Sequence, residues 1–450
     1  MAHRNGRPEL VEGGKAINRY YSGVATRLTT ICCSAVALIT VSTLVAAAQS
    51  TPSAPRRVKQ TYAADDPTPL PLFPLQMLWT LPLNNSLTAA PAFDDTRGFF
   101  PLEGDQIAAY NLVNGARLWV ARIRATSEPA AGDNLLFVVT PGTLTALRAA
   151  DGSSSWELPF PETLAVPLVW NNGWLIAVTT GGDVLAFRAN DGALIWRRTI
   201  GAAAHARPAL SIDRVYVPTT DSRVVALRVD TGASIWERRL GGEGNDILAL
   251  DKRLYVGSQD RFFYCLNTED GKIEWRWQTG ADVIGLPVAD DRTVFFVSLD
   301  NVLRALNKSS GVQRWKSPLP LRPSTGPIRA ADALIVAGPA PTLRAYKVQD
   351  GKPAGEFASP GEQAARPHLF ADATRAFPVV IAVTRDIVKG ATVVALTRSV
   401  DPTIVPFIPL PGMIQMAPAT APAASPSSTS PGNPVTNPER GPLVILPGQR

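Results

Sequence analysis

The sequence predicts an all-β fold: a β-propeller of eight four-stranded antiparallel blades, its ring closed by an N-terminal strand. Three observations carry that prediction. Seven tryptophans, Trp79, Trp119, Trp156, Trp196, Trp236, Trp275 and Trp315, follow one another at intervals of 40, 37, 40, 40, 39 and 40 residues. A glycine precedes six of them by four positions (Gly115, Gly152, Gly192, Gly232, Gly271 and Gly311), and Gly351 continues the series with Gly355 where the next tryptophan would fall. The same two apolar runs recur in every unit, and no window shows helical periodicity. By length alone, 450 residues would suggest about three domains. A fixed period near 40, built from short strands, points instead to one radially repeated domain.

Within a unit the elements keep a fixed order. A proline twelve positions after the tryptophan site opens the unit at Pro91, Pro208, Pro287, Pro327 and Pro367, while Pro129 and Pro167 come slightly early. A short apolar run then follows a polar turn such as Asn171-Asn172-Gly173 or Asp290-Asp291-Arg292, as a hairpin requires. The second run alternates, as in QIAAYN, DVLAFR and VLRALN, and predicts a strand with one buried face. An Asn-Gly or Asp-Gly type of turn reverses the chain, glycine accepting positive φ without a steric penalty. The last strand carries the tryptophan.

The phase of the repeat bears on closure. Eight copies of the second run lie between Ile107 and Leu396, but only seven closing strands follow them. Trp79 stands one interval before Trp119 with no earlier strands of its own. The strand around Met77–Leu81 is therefore expected to be the outer strand of the last blade, with Thr403–Ile408 as the alternative. A ring clasped in this way leaves only short, protected sheet edges.

The ends of the chain differ from its middle. Arg4, Arg7, Lys15, Arg19 and Arg27 precede an uncharged run from Ile31 to Ala48 that closes on three alanines. This predicts a signal peptide cut after Ala48, or an uncleaved anchor just long enough to tether the protein to a membrane through residues 31–48. Cys32 and Cys33 stand at the start of the run, the wrong end for lipoprotein acylation. Removing the signal leaves Cys265 alone, so no internal disulfide is expected, and its apolar neighbours predict a small buried side chain. Residues 49–75 and 401–450 hold 18 of the 40 prolines and read as a linker and a disordered tail. The expected plan is thus signal or anchor 1–48, linker 49–75, propeller 76–400 and tail 401–450. Of the net charge of +6, the segment 76–400 keeps only +2. It has no Lys/Arg stripe that could track phosphates, so nucleic-acid binding is not expected.

The unit Ala226-Leu227-Arg228-Val229-Asp230-Thr231-Gly232-Ala233-Ser234-Ile235-Trp236 resembles the pyrroloquinoline quinone (PQQ)-type propeller repeat, A-x-D-x-x-T-G-x-x-x-W. Ala186 to Trp196 and Ala305 to Trp315 follow the same pattern. The resemblance covers roughly residues 76–400 and implies an eight-bladed ring in which each tryptophan packs between neighbouring blades. In size and organisation the chain is similar to the BamB-like branch, non-catalytic members that scaffold outer-membrane protein assembly. One departure stands out: the motif's Asp is replaced by Asn111, Arg148, Arg188, Arg228, Asn267, Asn307, Lys347 and Thr397. Other contacts must hold the turn. WD-type propellers have similar periods, but no Asp follows any of these tryptophans.

The enzymatic alternative within the same fold is a quinoprotein dehydrogenase oxidising an alcohol or sugar, with PQQ and calcium as cofactors. Such enzymes use carboxylates for the metal, and many use an adjacent cysteine pair. Here that pair occurs only at Cys32-Cys33, no Cys-x-x-Cys-His marks a haem, and the even intervals leave no room for the insertions that build an enzyme pocket. His205 and His368 fall in corresponding lead-ins near Pro208 and Pro367 and are expected as surface-loop histidines. Gly241-Gly242-Glu243-Gly244 lacks the Lys-Ser/Thr of a phosphate loop and is expected as a loose connection between blades. The expected molecule is an exported, periplasmic or envelope-associated monomer without catalytic, cofactor or metal residues. It would bind an envelope protein partner at a face or rim groove. Gly241–Asn245, Pro339–Thr342 and Arg385–Gly390 are the candidate contact loops.

Overall fold

The computed structural model describes residues 71–372, 375–386 and 390–399. The expected signal or anchor, the tail and the alternative strand Thr403–Ile408 lie outside the described residues. All regular structure among the described residues is β-strand, arranged as eight antiparallel sheets. Blades 1 to 7 span Ala92–Ala121, Ala130–Pro159, Val169–Thr199, Ala209–Arg239, Gly244–Gln278, Val283–Pro318 and Ile328–Ala358. In each, four strands pair in sequence order from the inner edge outward.

Blade 8 is built differently. Its inner edge is split into Glu362–Gln363 and His368–Phe370, both paired with Val379–Asp386, which pairs in turn with Gly390–Arg398. The outer strand is Leu75–Pro82, antiparallel to Gly390–Arg398 with Leu75 opposite Arg398 and Pro82 opposite Thr392. The N-terminal strand therefore closes the ring, as the phase of the repeat predicts.

The middle strands are buried on both faces, because each blade is wedged between two others. In the Asp183–Arg188 strand, Leu185 and Phe187 pack with blade 2 while Val184 and Ala186 pack with blade 4. The alternation in such runs thus distributes side chains between two neighbours rather than between core and water. The described core is accordingly a ring of eight seam clusters, one between each pair of adjacent blades.

The tryptophans sit at these seams, and five of the seven stay partly exposed along an edge, with Trp119 and Trp196 buried. Each indole N–H donates to a backbone carbonyl of the next blade: Trp119 to Ala149, Trp156 to Ala189, Trp196 to Val229, Trp236 to Thr268, Trp275 to Lys308 and Trp315 to Val348, over 2.7–3.1 Å. Trp79 donates to Val113 across the closing seam at 3.2 Å. Each ring lies on the following blade's turn glycine. A Cβ on Gly232 would fall 2.5 Å from Trp196, and φ there is +66°. Glycine is thus required twice over, for the backbone conformation and for the approach of the ring. Small residues stand opposite the rings within each blade, as Ala186 does with Trp196 and Ala226 with Trp236, with a bulge directly after them. Cys265 takes that place opposite Trp275, fully buried, and burial pushes its thiol up to about 12.

The turns manage without the motif's Asp in two ways. Asn111, Asn267 and Asn307 accept backbone N–H bonds from Val113, Glu269 and Ser309. Where Arg replaces it, Arg188 reaches Asp191 and Arg228 reaches Asp230, each at 2.8 Å.

The fold begins ahead of residue 76, inside the stretch that composition assigns to the linker. Leu72 is fully buried, its N–H donates to Asp332 Oδ1 at 2.8 Å, and Ser399 N–H donates to Pro74 O at 2.8 Å. Phe73 fills the seam between blades 7 and 8, where a Cβ on Gly355 would lie 2.3 Å from its ring. The eighth tryptophan is thus replaced by a phenylalanine reaching in from the N-terminal segment. Phe73→Ala is expected to cost about 3–5 kcal/mol, and to lower the Tm measured by calorimetry. The pair Phe73→Ala/Gly355→Trp should recover part of that loss, whereas Gly355→Trp alone should destabilise by overpacking.

Candidate functional site

The eight inner strands line an axial cavity of about 1030 Å3. Its wall is mainly small and apolar, but five charged residues line it from blades 2, 4, 5, 7 and 8: Glu128, Arg207, Asp246, Arg329 and Arg366. Three of them immediately precede the opening proline of their unit (Pro129, Pro208 and Pro367). The proline ring holds the preceding residue in an extended conformation, so these side chains share one level of the channel. Arg207 Nη2 pairs with Glu128 Oε2. That ion pair joins blades 2 and 4 past the inner edge of blade 3. Arg366 Nη2 donates to Pro327 O at 3.1 Å. Burial raises the Glu128 pKa, opposed by Arg207 and reinforced by Asp246. Burial lowers that of Arg366, opposed by Asp246 and reinforced by Arg207. Glu128, Arg207, Asp246 and Arg366 therefore act on one another as a single cluster.

His368 belongs to this channel and is not the surface-loop residue the sequence suggests. Its lead-in region is an inner strand, and the imidazole stacks on Phe93 of blade 1 with ring centroids 4.4 Å apart and planes 8° from parallel. Burial pushes its pKa down to about 4, against the pull of Asp94 and with the help of Arg366. His205 sits at the rim, half-buried, with Nδ1 2.6 Å from Glu243 Oε2 and Nε2 3.0 Å from Gln259 Nε2. It ties blade 4 to blade 5. The glycine-rich connection beside it is consequently not loose. A Cβ on Gly242 would meet the Asp260 backbone nitrogen at 2.8 Å, and Asn245 Nδ2 donates to Val283 O at 2.6 Å.

Strand direction places the three candidate loops on one face. Gly241–Asn245 links the outer strand of blade 4 to the inner strand of blade 5, while Pro339–Thr342 and Arg385–Gly390 lie at hairpins of blades 7 and 8, residues 387–389 being outside the described set. In an antiparallel blade these connections share an edge, and the mouth bearing the channel charges opens there. The same edge carries ion pairs of Arg197 with Asp183 and Glu162 (2.5 and 3.0 Å), Arg223 with Asp221 and Glu237 (2.7 and 2.5 Å), and Arg304 with Asp300 (2.5 Å). Burial would raise Asp300, but bonds from Arg304, Ser298 and the Gly280 N–H outweigh it and hold the carboxyl at about 2. The opposite edge bears the repeated glycine turns under the tryptophans.

Among the described residues no three His, Cys, Asp or Glu side chains are grouped to hold a metal. In the channel Glu128 is committed to Arg207, which leaves Asp246. Calcium takes six to eight oxygen ligands, so this donor set does not fit a calcium–quinone centre. Repeat spacing locates the tryptophans and glycines, but none of the channel charges. The signal for Glu128, Arg207 and Arg366 is their place just before the lead-in proline.

The profile of the family described as outer membrane protein assembly factor BamB matches residues 76–166, 103–250 and 244–397. BamB of Yersinia pestis is 30% identical over 111 residues, which is 24% of this chain and 28% of that protein's length. Among solved structures, BamB from Moraxella catarrhalis superposes with a TM-score of 0.58 at 19% identity, covering 73% of this chain and 99% of that one. The quinohemoprotein alcohol dehydrogenase ADHIIG of Pseudomonas putida superposes with 0.57 at 12% identity, covering 72% and 76%. At these identities the structural likenesses show the shared fold alone.

The depressed pKa of His368 sets an acid sensitivity. The folded state resists protonation down to about 4, whereas the unfolded chain takes up its proton near the ordinary value of about 6.5. The unfolded state therefore binds more protons between those two values, and stability falls as pH drops through that window. His368→Phe keeps the stack on Phe93 and removes the proton. Calorimetry from pH 7 to pH 4 should show a smaller drop in Tm for this variant than for the native chain.

Proposed function

Because the chain belongs to the family described as outer membrane protein assembly factor BamB, we propose that it is a non-catalytic scaffold of the cell envelope. In this reading it is exported, works as a monomer without PQQ, calcium or another cofactor, and holds an envelope protein partner. Residues 31–48 would serve as signal or tether. The partner docks on the face that gathers Gly241–Asn245, Pro339–Thr342 and Arg385–Gly390 around the channel mouth. The observation that carries this choice is the contrast between faces. One edge repeats the same glycine turn under each tryptophan, while the other varies from blade to blade in loop length and in charge. Recognition of one partner requires such non-repeating chemistry.

Photo-cross-linking in the native host tests this. A photoreactive residue at Thr220 or Pro339, on the varied face, is expected to trap one discrete envelope protein. The same residue at Asp151 or Asp191, in the repeated turns, should trap none. Equal trapping from both faces, or from neither, overturns the docking face. In parallel, the purified chain incubated with PQQ and calcium should give no dye-linked oxidation of alcohols or sugars. Turnover there would overturn the scaffold reading.

A further inference from the structure

Two opposite charges in the axial channel, Arg366 and Asp246, are not paired with each other, while Arg329 of blade 7 lines the same cavity as an exposed residue. Arg366 is largely withdrawn from water, and a guanidinium offers five donors. Among the described residues its one hydrogen bond goes to Pro327 O, with no carboxylate in bonding distance. Asp246 faces the same cavity from blade 5, and its carboxylate has neither an ion-pair nor a hydrogen-bond partner among the described residues. The two groups feel each other's charge yet stand beyond ion-pairing distance. Glu128 and Arg207 are paired with each other and make no hydrogen bond or ion pair to either of them among the described residues.

A guanidinium withdrawn from bulk water without a counter-charge is costly unless something brought in from outside completes it, and Asp246 on the same wall offers a second, opposite charge to such a ligand. An anion would satisfy Arg366 and repel Asp246, and a cation would do the reverse. A ligand carrying both a carboxylate and an ammonium satisfies the two together. The cavity of about 1030 Å3 admits such a ligand with room to spare. Trp170, Leu248 and the Phe93–His368 stack supply apolar wall beside the charges.

We propose that the axial channel is a binding site for a free zwitterion of amino-acid or dipeptide size, its carboxylate held by Arg366 and its ammonium by Asp246. This site goes beyond the scaffold role and does not depend on it, since it needs no docked protein. The Glu128–Arg207 pair, already joined, contributes no binding contact.

Calorimetric titration of the full chain with the dipeptide alanyl-alanine tests the proposal. One saturable site is expected. N-acetylalanine, which lacks the ammonium, and alaninamide, which lacks the carboxylate, should each bind about ten- to a hundredfold more weakly, the range for losing one charged hydrogen-bonded contact. Asp246→Asn and Arg366→Gln should weaken the dipeptide to a similar extent. In Asp246→Asn the preference for alanyl-alanine over N-acetylalanine should disappear, an outcome that a merely structural role for Asp246 would not produce. Melting curves of both variants confirm that the ring is intact. Absence of saturable dipeptide binding overturns the proposal, leaving a water-filled charge cluster. So does binding that both variants leave unchanged, and so does equal binding of N-acetylalanine and the dipeptide, which would make the channel a simple anion site.

Discussion

The fold depends on one contact made repeatedly: an indole ring laid on a glycine turn of the following blade, with its N–H bonded to a carbonyl beside that turn. Each contact joins residues from two separate sheets, so no blade is complete without its neighbour. A large aromatic ring brings several kinds of stabilisation to such a joint, through buried area, dispersion and a directional hydrogen bond. It also imposes a geometric condition, because any side chain on the turn would occupy the volume of the ring. The period of the sequence is the record of that condition. The spacing near 40 is the length of chain needed to leave one seam, build three further strands and return to the next.

How much of this was legible follows from what repeats. Strand order, blade number and closure by Leu75–Pro82 could be read because each depends on residues that recur in phase. Burial of the middle strands on both faces was less evident. The alternation in DVLAFR looks the same whether the second face meets water or another blade, and only the ring geometry distinguishes them. The role of Phe73 was hidden altogether. It substitutes for a tryptophan missing at Gly355 from a position some 280 residues away in sequence, within a proline-rich stretch whose composition reads as linker.

The channel was still harder to anticipate. Glu128, Arg207, Asp246 and Arg366 are scattered over about 240 residues, share no local motif, and become neighbours only because inner strands converge on an axis. His368 looked like a loop residue because a proline stands beside it, although in these units the proline opens the inner strand. By contrast, the absence of repeat at Gly241–Asn245, Pro339–Thr342 and Arg385–Gly390 was visible from the start. Sequence irregularity within a regular array marks the places where packing alone does not dictate the residue.

The segment from Leu72 to Pro82 stitches blade 8 on both sides, with Phe73 against blade 7 and Trp79 against blade 1. It also bonds to the end of the last strand, through Ser399 N–H to Pro74 O and through Arg398 to Pro71 O. The polypeptide therefore enters and leaves the ring at adjacent points. Mechanical load applied through either end falls on the same blade, the one blade assembled from both termini. Tension on the N-terminal side peels away a strand that holds two seams at once, whereas a pull on any internal loop meets only sequential pairing. Force entering through either end is thus borne by the blade that closes the ring.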